Sequence, residues 1–323
     1  MGVLRLLDIG DFSTKDREGN AVAAAENRNQ HTGLCFEVSP PKTEAAMAAL
    51  CADGGILDRL CLLQPDEIAC TYRPGGADVG KNLQVLDKLV RNGSTGALTH
   101  FTCAGNTREG IRAQLQTYLE HGICRIFAQQ GDAGVGRVGY DQLQYASELT
   151  AFIRECFGSR FTISVAGAPE GRRSIREDVE LLLRKQDAGA DAIITRPCWD
   201  VDRFQRWLEA VLAANVSLPV TVGVMPVMDL SEMVQMTMAP GGASLPRELT
   251  ALISQNWIYP NPFVKDPFDA DAERKKASFR AAGIDYTIRQ IEAYRSCGVS
   301  GIYLHTRNRS EDAARIVKAA GLR

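Results

Sequence analysis

Short apolar runs recur along the whole chain, and helical segments separate them. The eight runs are candidate strands at residues 33–38, 67–72, 97–102, 124–129, 161–166, 191–195, 219–224 and 300–305. Eight strand–helix alternations within about 290 residues predict the α/β class and, within it, a (β/α)8 TIM barrel. A doubly wound open sheet is the alternative, but no G-x-G-x-x-G follows a strand in the way that a dinucleotide-binding fold of that class requires.

Local capping signals indicate where three of the helices begin. Thr107 precedes a segment that runs to about Glu120 and carries apolar side chains on one face. Ser174 and Glu177 have the spacing of a capping box, and Asp200 is a candidate N-cap. We therefore expect helices to start at these three positions.

The predicted barrel occupies most of the chain. Residues 1–32 are mostly polar and predict an N-terminal arm or loop, whereas residues 33–323 form the barrel domain. Residues 239–271 are rich in proline and glycine and predict a long excursion between the seventh and eighth strands. Loops of that length are often lids or binding loops. We therefore expect a single domain with one long excursion.

Charge and cysteine usage narrow the range of partners. A net charge of -2 offers no basic surface for nucleic acid or a membrane, and no apolar run is long enough for a transmembrane helix. The nine cysteines include no C-x-x-C pair, and the four histidines lack helical ligand spacing. We therefore expect reduced thiols, a cytoplasmic location and no metal centre, while formation of a homo-oligomer stays open.

One carboxylate stands where a parallel barrel usually carries out its chemistry. Glu37 lies one residue before the end of the first candidate strand, and Pro40 and Pro41 stop that strand. At the C-terminal mouth of a barrel this position suits an acid or a base, although an ordinary edge carboxylate has the same signature. His100 would share the mouth or be a core histidine bonded to backbone, and Arg309 would face the mouth or simply begin the last helix.

A series of short motifs follows the same strand ends. They are Phe36-Glu37-x-x-Pro40-Pro41-Lys42-Thr43, Thr71-Tyr72, His100-x-Thr102-Cys103, Gly131-Asp132, Pro169-Glu170, Asp187-Ala188-Gly189-Ala190-Asp191 and Thr306-x-Asn308-Arg309. In this order, from about residue 33 to the C-terminus, they resemble the methylenetetrahydrofolate reductase family. The resemblance implies a barrel that transfers hydride between NAD(P)H and a folate in one-carbon metabolism, ordinarily through FAD.

The resemblance also implies roles on the folate side of the site. Glu37 would be the general acid, and burial near an apolar pterin and flavin would raise its pKa. Asp132 would hydrogen-bond the pterin and tune a cofactor ring, and Arg309 would bind a folate carboxylate. Three further substrate-binding positions carry residues that differ from the family pattern, namely Arg196, Glu232 and Met236.

On the cofactor side the resemblance is mixed. The positions that match the family pattern are Thr71, His100, Gly131, Asp132, Asp178, Lys185 and Ile194. Gln130 replaces an arginine, and Ala168 replaces a tyrosine that lies along the flavin, where an alanine cannot stack. FAD and direct hydride transfer from NAD(P)H therefore both stay open, with Arg172 or Arg173 near a nucleotide phosphate in the second case. Asp178 and Lys185 would equally suit a solvated helix face.

Two other functions are compatible with a barrel. A non-catalytic folate-binding or complex-forming subunit would keep the fold, but the retained Glu37 favours an enzyme. A phosphate-dependent aldolase would need a Schiff-base lysine at a strand end and a glycine-rich phosphate loop near the last strands, and the sequence shows neither. We therefore expect a folate oxidoreductase with NAD(P)H as the hydride carrier.

Overall fold

The strands close into a barrel. The computed structural model describes residues 32–71, 79–93, 95–131, 142–171, 173–238, 242–255 and 270–323. Eight parallel strands pair in chain order, and the last pairs back onto the first. They are β1 (Gly33–Val38), β2 (Glu67–Cys70), β3 (Gly96–Thr102), β4 (Arg125–Gln129), β5 (Thr162–Gly167), β6 (Ala192–Thr195), β7 (Val220–Val224) and β8 (Gly301–His305). The predicted (β/α)8 barrel is therefore confirmed, and each predicted strand overlaps an observed one.

Every strand is followed by at least one helix, as crossovers between parallel strands require. In the described residues these helices are α1 (Glu44–Cys51), α2 (Ile56–Cys61), α3 (Val79–Asn92), α4 (Arg108–Glu120), α5 (Ala146–Phe157), α6 (Ile175–Asp187), α7 (Val201–Ala213), α8 (Leu230–Met238), α9 (Arg247–Gln255), α10 (Ala270–Ser296) and α11 (Ser310–Ala319). Across those same residues, none of the helices combines the length and the apolar character needed to span a membrane.

The predicted helix starts are confirmed by their capping bonds. The Thr107 side chain accepts a hydrogen bond from the backbone N–H of Gly110 at the start of α4. Ser174 and Glu177 form the expected reciprocal capping box at α6. The Asp200 carboxylate accepts a hydrogen bond from the backbone N–H of Arg203, the third residue of α7. These short-range contacts need no tertiary partner, which explains why the sequence alone predicts them.

Alternation along each strand separates two apolar layers. On β1, Leu34 and Phe36 belong to the same buried cluster as Met47 and Leu50 of α1, so this cluster fills the space between strands and helices. The inward-facing side chains form a smaller layer inside the barrel, made of Cys35, Ala69, Leu98, Phe127, Ile194 and Tyr303. The barrel interior is thus packed at this level, and the mouth lies above it.

The predicted excursion, residues 239–271, contains regular structure. Its described part, residues 242–255, includes α9, and α10 begins at Ala270. α10 packs so closely on the segment after β7 that a β-carbon at Gly283 would overlap the carbonyl oxygen of Val227. The predicted arm, residues 1–32, lies outside the described residues apart from Thr32, so the predicted domain boundaries stay predictions.

Candidate active site

Strand alternation brings two ionisable side chains to the barrel mouth. Cys35 and Tyr303 lie in the inner apolar layer, and the residues two positions further along β1 and β8 are Glu37 and His305. Side chains two residues apart on a strand share a face. Glu37 is also paired in register with His305 where β8 closes onto β1. The two side chains therefore stand next to each other on the inner face, at the C-terminal end of the barrel.

Hydrogen bonds hold the Glu37 carboxylate from two sides. Its Oε1 lies 2.8 Å from Nδ1 of His305, and the Tyr303 hydroxyl donates to its Oε2 over 2.9 Å. His100 Nε2 lies 2.7 Å from the Tyr303 hydroxyl and 3.6 Å from Oε2 of Glu37. Glu37, Tyr303, His100 and His305 thus form one connected group, here called the Glu37 array.

The charge state of Glu37 in the ligand-free protein is set by its partners in the array. Burial raises the pKa of its carboxyl, but the charge and hydrogen bond of His305, together with His100 and Tyr303, outweigh burial and lower the pKa to about 2. This lowered pKa belongs to the protein without ligands, and the increase expected beside a bound pterin and flavin stays a prediction. The carboxylate is ionised at neutral pH, and a proton has to reach it before it can act as an acid.

Tyr303 and His100, two of the other three members of the array, are held in their neutral forms. Burial and the nearby Glu37 carboxylate raise the pKa of Tyr303 well above its ordinary value, so its hydroxyl keeps the proton that it donates. Burial lowers the pKa of His100, although Glu37 opposes that effect. The His100 ring packs edge-on against Phe127, with ring centroids 4.9 Å apart. His100 is thus a buried histidine, but its ring nitrogen meets the Tyr303 side chain rather than backbone.

Reasoning from the sequence overlooks Tyr303 and assigns no role to His305. A usable signal exists, because Tyr303 and His305 alternate with Leu304 on β8 and therefore share one face of that strand. What the alternation does not provide is the pairing of β8 with β1. Only that pairing shows that this face carries the partners of Glu37.

The turn after β8 ties its strand end to the end of β1. The Thr306 hydroxyl donates to the Glu37 carbonyl oxygen over 2.7 Å. The Asn308 side chain accepts from the Ser39 N–H and donates to the Ser39 carbonyl oxygen, at 3.0 and 2.8 Å. Arg307 and Asn308 both have left-handed backbones, with φ of 53° and 59°, which is uncommon for residues other than glycine. The turn therefore clamps the backbone at Glu37 and just beyond it.

Two arginines from this turn share one acidic partner. Glu232, on α8, accepts a hydrogen bond from Arg307 at 2.8 Å and lies 3.8 Å from Arg309. Arg309 is the N-cap residue of α11, so it does begin the last helix, as the alternative assignment has it. Its Nη1 is nevertheless buried and has no hydrogen-bond partner among the described residues. A donor is therefore available for an anion at this position.

The two other predicted substrate-binding residues lie at different places. Arg196 follows β6 and its side chain is exposed. Met236, on α8, packs at the edge of an apolar cluster that includes Trp199. Among the described residues, neither forms a hydrogen bond with the Glu37 array, so their assignment to the substrate stays a prediction.

Two predicted cofactor residues are engaged within the barrel wall. Asp178 is 2% exposed, and its Oδ2 accepts from Trp207 Nε1 at 2.8 Å and from the Ala168 N–H at 3.0 Å. The Lys185 ammonium donates to the Ala166 carbonyl oxygen over 2.6 Å, and burial lowers its pKa. The alternative of a solvated helix face is wrong for both, because these side chains turn inward onto β5 and its end.

The other described cofactor positions lie at strand ends or in the inner layer. Ile194 is buried among the inward-facing residues, and Gln130 is exposed after β4. Gly131 has a φ of 81°, and a β-carbon there would lie 2.9 Å from the side chain of Thr102, so glycine is required. The Thr71 hydroxyl donates to the Ser39 hydroxyl over 3.0 Å.

Two predicted residues, Asp132 and Arg172, lie outside the described residues, and their roles stay predictions. All nine cysteines are free thiols. In the part of the chain that the structure describes, no three or more His, Cys, Asp or Glu side chains are grouped so that they could hold a metal ion.

Comparison with known proteins agrees with the order of the motifs. A family model described as methylenetetrahydrofolate reductase matches residues 22–321. The 5,10-methylenetetrahydrofolate reductases of Salmonella typhimurium and Escherichia coli are each 26% identical over 315 residues, which is 97% of this chain and 98% of each relative. Methylenetetrahydrofolate reductase (NADH) 1 of Arabidopsis thaliana is 26% identical over 90% of this chain, and the chain spans 48% of it.

A solved structure has the same fold. It is an uncharacterized protein from Clostridium thermocellum that binds two copies of 5-methyl-5,6,7,8-tetrahydrofolic acid, with a TM-score of 0.57, 13% identity and coverage of 92% of this chain and 96% of that chain. At this identity the likeness concerns the fold alone. The chain spans about half the length of its plant relatives and nearly all of its enterobacterial ones. Because the family model covers nearly the whole chain, this protein belongs to the methylenetetrahydrofolate reductase family.

Proposed function

We propose that this chain reduces 5,10-methylenetetrahydrofolate to 5-methyltetrahydrofolate with a hydride from NAD(P)H. The observation that carries the proposal is the Glu37 carboxylate at the barrel mouth, hydrogen-bonded by His305 and Tyr303. Membership of the family supports it. The names of the Arabidopsis and maize relatives specify NADH, so NADH is the first nicotinamide to test.

The proposed reaction needs a proton and a hydride at different atoms of the folate. Protonation of the departing ring nitrogen opens the methylene bridge and leaves an iminium, and hydride then adds to the iminium carbon. Glu37 is the residue that we propose as donor of the proton. Its carboxylate is ionised in the free protein, because its pKa is lowered to about 2. It can therefore act only after it has received a proton within the catalytic cycle.

The turn after β8, which carries Arg309, suits the carboxylates of a folate. Arg309 has a buried donor without a partner among the described residues, and a guanidinium can hold a carboxylate through two parallel bonds. Glu232 would compete with that carboxylate, because it lies 3.8 Å from the same guanidinium. We propose Arg196 and Met236 as further folate contacts and Asp132 as the partner of the pterin edge.

Three of the cofactor-side residues argue against a flavin, although other positions match the family pattern. The Asp178 carboxylate already accepts hydrogen bonds from Trp207 and the Ala168 N–H. The Lys185 ammonium already donates to the Ala166 carbonyl oxygen. Ala168 has a methyl group where stacking on a flavin would need a ring. We therefore propose that hydride passes directly from the nicotinamide to the folate. Arg172 is the proposed contact to a nucleotide phosphate, and unchanged nucleotide affinity in Arg172→Ala would contradict that role.

Absorbance and turnover, measured on the same preparation, test the proposal. Wild-type protein that has been incubated with FAD and purified again should be colourless, and it should oxidise NADH only when methylenetetrahydrofolate is present. Glu37→Gln should lower kcat by about 10²- to 10⁴-fold, because the proton donor is lost. Glu180→Gln is the control and should leave kcat unchanged, since Glu180 lies on α6 in an exposed pair with Arg176.

Two results would change the proposal in different ways. Flavin bands at about one FAD per chain would contradict direct transfer and leave the reductase activity standing. Binding of 5-methyltetrahydrofolate without turnover in either direction would instead favour a folate-binding subunit.

A further inference from the structure

The Glu37 array has two branches, and each meets a different carboxylate oxygen. Tyr303 donates to Oε2, and His100 stands behind Tyr303 at 2.7 Å. His305 meets Oε1 through its Nδ1. Glu37 starts each cycle as a carboxylate, and its side chain is 15% exposed at the mouth. Once a folate covers the mouth, these two branches are the groups hydrogen-bonded to the carboxylate, and either could bring the proton that the proposed reaction consumes.

The Tyr303 branch ends inside the barrel. Tyr303 is 1% exposed and His100 is 7% exposed, and the His100 ring packs on Phe127 of the inner apolar layer. The Tyr303 hydroxyl has a single proton, which it already donates to Glu37. A proton from this branch would have to pass through both His100 and Tyr303, so we assign it the orientation of the carboxylate.

The His305 branch differs because an imidazole has two nitrogens that can exchange a proton. Nδ1 faces Glu37, while Nε2 is buried and has no hydrogen-bond partner among the described residues. A proton on Nδ1 satisfies the bond to Glu37, and a buried nitrogen without a protein partner, such as Nε2, is a place for an ordered water. The His305 side chain is 13% exposed, against 9% for His100.

Within the described part of the chain, no other ionisable group next to Glu37 can take this role. Besides the array itself, the thiols that affect the local charges are Cys35 on β1 and Cys70 on β2. Burial raises the pKa of both thiols, so they stay neutral. Neither thiol is hydrogen-bonded to the Glu37 carboxylate, since Cys35 and Cys70 donate to backbone carbonyl oxygens.

We infer that His305 relays to Glu37 the proton that Glu37 delivers to the substrate. The inference rests on the proposed function, because the reduction is the step that consumes this proton. His305 acts through Glu37 and not on the folate itself, so it is a positioning residue of the proton-delivery system.

The relay balances over one turnover. Nε2 of His305 takes a proton from water, and the proton on Nδ1 moves to Oε1 of Glu37. The Glu37 carboxyl then protonates the departing folate nitrogen and returns to the carboxylate, while NADH gives its hydride to the iminium carbon and leaves as NAD⁺. The imidazole resets by losing the Nε2 proton to water and regaining one at Nδ1, with no net change. One proton and one hydride are consumed for each folate reduced.

Replacing His305 with asparagine separates the relay from the hydrogen bond. An asparagine amide can donate to Glu37 from nearly the position of Nδ1, but it cannot pass a proton on. We expect His305→Asn to lower the single-turnover rate of hydride transfer about 10- to 100-fold, with the KM for the folate changed less than about twofold. A His305→Asn rate equal to that of the wild type would overturn the relay.

Imidazole rescue distinguishes the relay from a purely structural role. Added imidazole should restore a saturable part of the rate to His305→Ala, and it should not help Tyr303→Phe, which loses a hydrogen bond to the same carboxylate without losing a relay. If His305→Ala does not fold, the asparagine variant decides alone. A folded His305→Ala that imidazole leaves inactive would show that the ring only holds Glu37 in place.

A measurement without substrate separates this inference from the proposed function. Nitrogen NMR of histidine-labelled free protein should find the His305 proton on Nδ1, and a proton on Nε2 alone would overturn the relay whatever the enzyme does. A wild-type protein that never reduces methylenetetrahydrofolate would refute the proposed function, and the NMR result would still judge the His305–Glu37 arrangement.

Discussion

His305 faces Glu37 across the seam where the last strand closes onto the first, with Nδ1 of the imidazole 2.8 Å from Oε1 of the carboxylate. The two residues pair in register, so a slip of one residue between β8 and β1 would turn one of the side chains out of the barrel. The charge state of the proposed acid thus depends on the closure of the barrel.

Protein stability should depend on pH through Glu37. Its pKa is lowered from 4.5 to about 2 on folding, so the ionised carboxylate stabilises the fold above about pH 4.5, and this contribution is lost as the pH falls towards 2. The contribution at neutral pH is on the order of 3 kcal/mol. Urea unfolding of the wild type and Glu37→Gln should therefore give a difference in unfolding free energy that shrinks as the pH is lowered from 6 to about 3. The control Glu180→Gln should show no such trend, and a constant difference for Glu37→Gln would contradict the lowered pKa.

Asp178 should be important for stability. Asp178→Ala removes the acceptor of two buried donors, the Trp207 indole and the Ala168 N–H, and should lower the unfolding free energy by about 2–4 kcal/mol. Asp187→Ala, at the exposed end of the same helix, should change it by less than about 0.5 kcal/mol. If Asp178→Ala unfolds like the wild type but loses affinity for FAD, the residue serves a flavin after all.

Asn308 should stabilise the turn that holds the end of β1. Asn308→Gly loses the two bonds to Ser39 but keeps the left-handed backbone, and should cost about 1–2 kcal/mol. Asn308→Ala should cost about 1 kcal/mol more, because alanine disfavours a φ of 59°. Asn215→Ala provides the backbone effect alone, since Asn215 has a φ of 60° and an exposed side chain. Equal losses in Asn308→Ala and Asn215→Ala would show that the two bonds to Ser39 do not stabilise the fold.

Glu232 should weaken folate binding by competing for the arginines. Glu232→Gln removes the negative charge that lies 2.8 Å from Arg307 and 3.8 Å from Arg309. Because such partly exposed pairs contribute at most about 1 kcal/mol, we expect 5-methyltetrahydrofolate to bind about three- to fivefold more tightly in calorimetry. Glu248→Gln is the control, since Glu248 pairs with Arg289 on two other helices. Weaker binding in Glu232→Gln would instead mean that the carboxylate contacts the folate directly.

Much of the fold could be predicted because its signals are local. The caps at Thr107, Ser174 and Asp200 lie within three residues of the groups they bond, and the strand patterns need only the chain itself. The position of Glu37 near the end of β1 follows from the prolines after it. Family motifs at strand ends add the expectation of a folate reductase.

The site was less predictable because its contacts join distant parts of the chain. Tyr303 and His305 are 266 and 268 residues away from Glu37 in sequence, and only the pairing of β8 with β1 brings them to its carboxylate. The direction of the Glu37 pKa shift also depends on these distant partners. Burial alone would raise the pKa, and the partners lower it. Asp178 shows the same limit, because its helix position fits solvent as well as the interior until Trp207 of the next helix is in place. Local patterns were therefore enough to predict a parallel barrel with a carboxylate at its mouth, whereas the groups that set the charge of that carboxylate meet only when β8 closes onto β1.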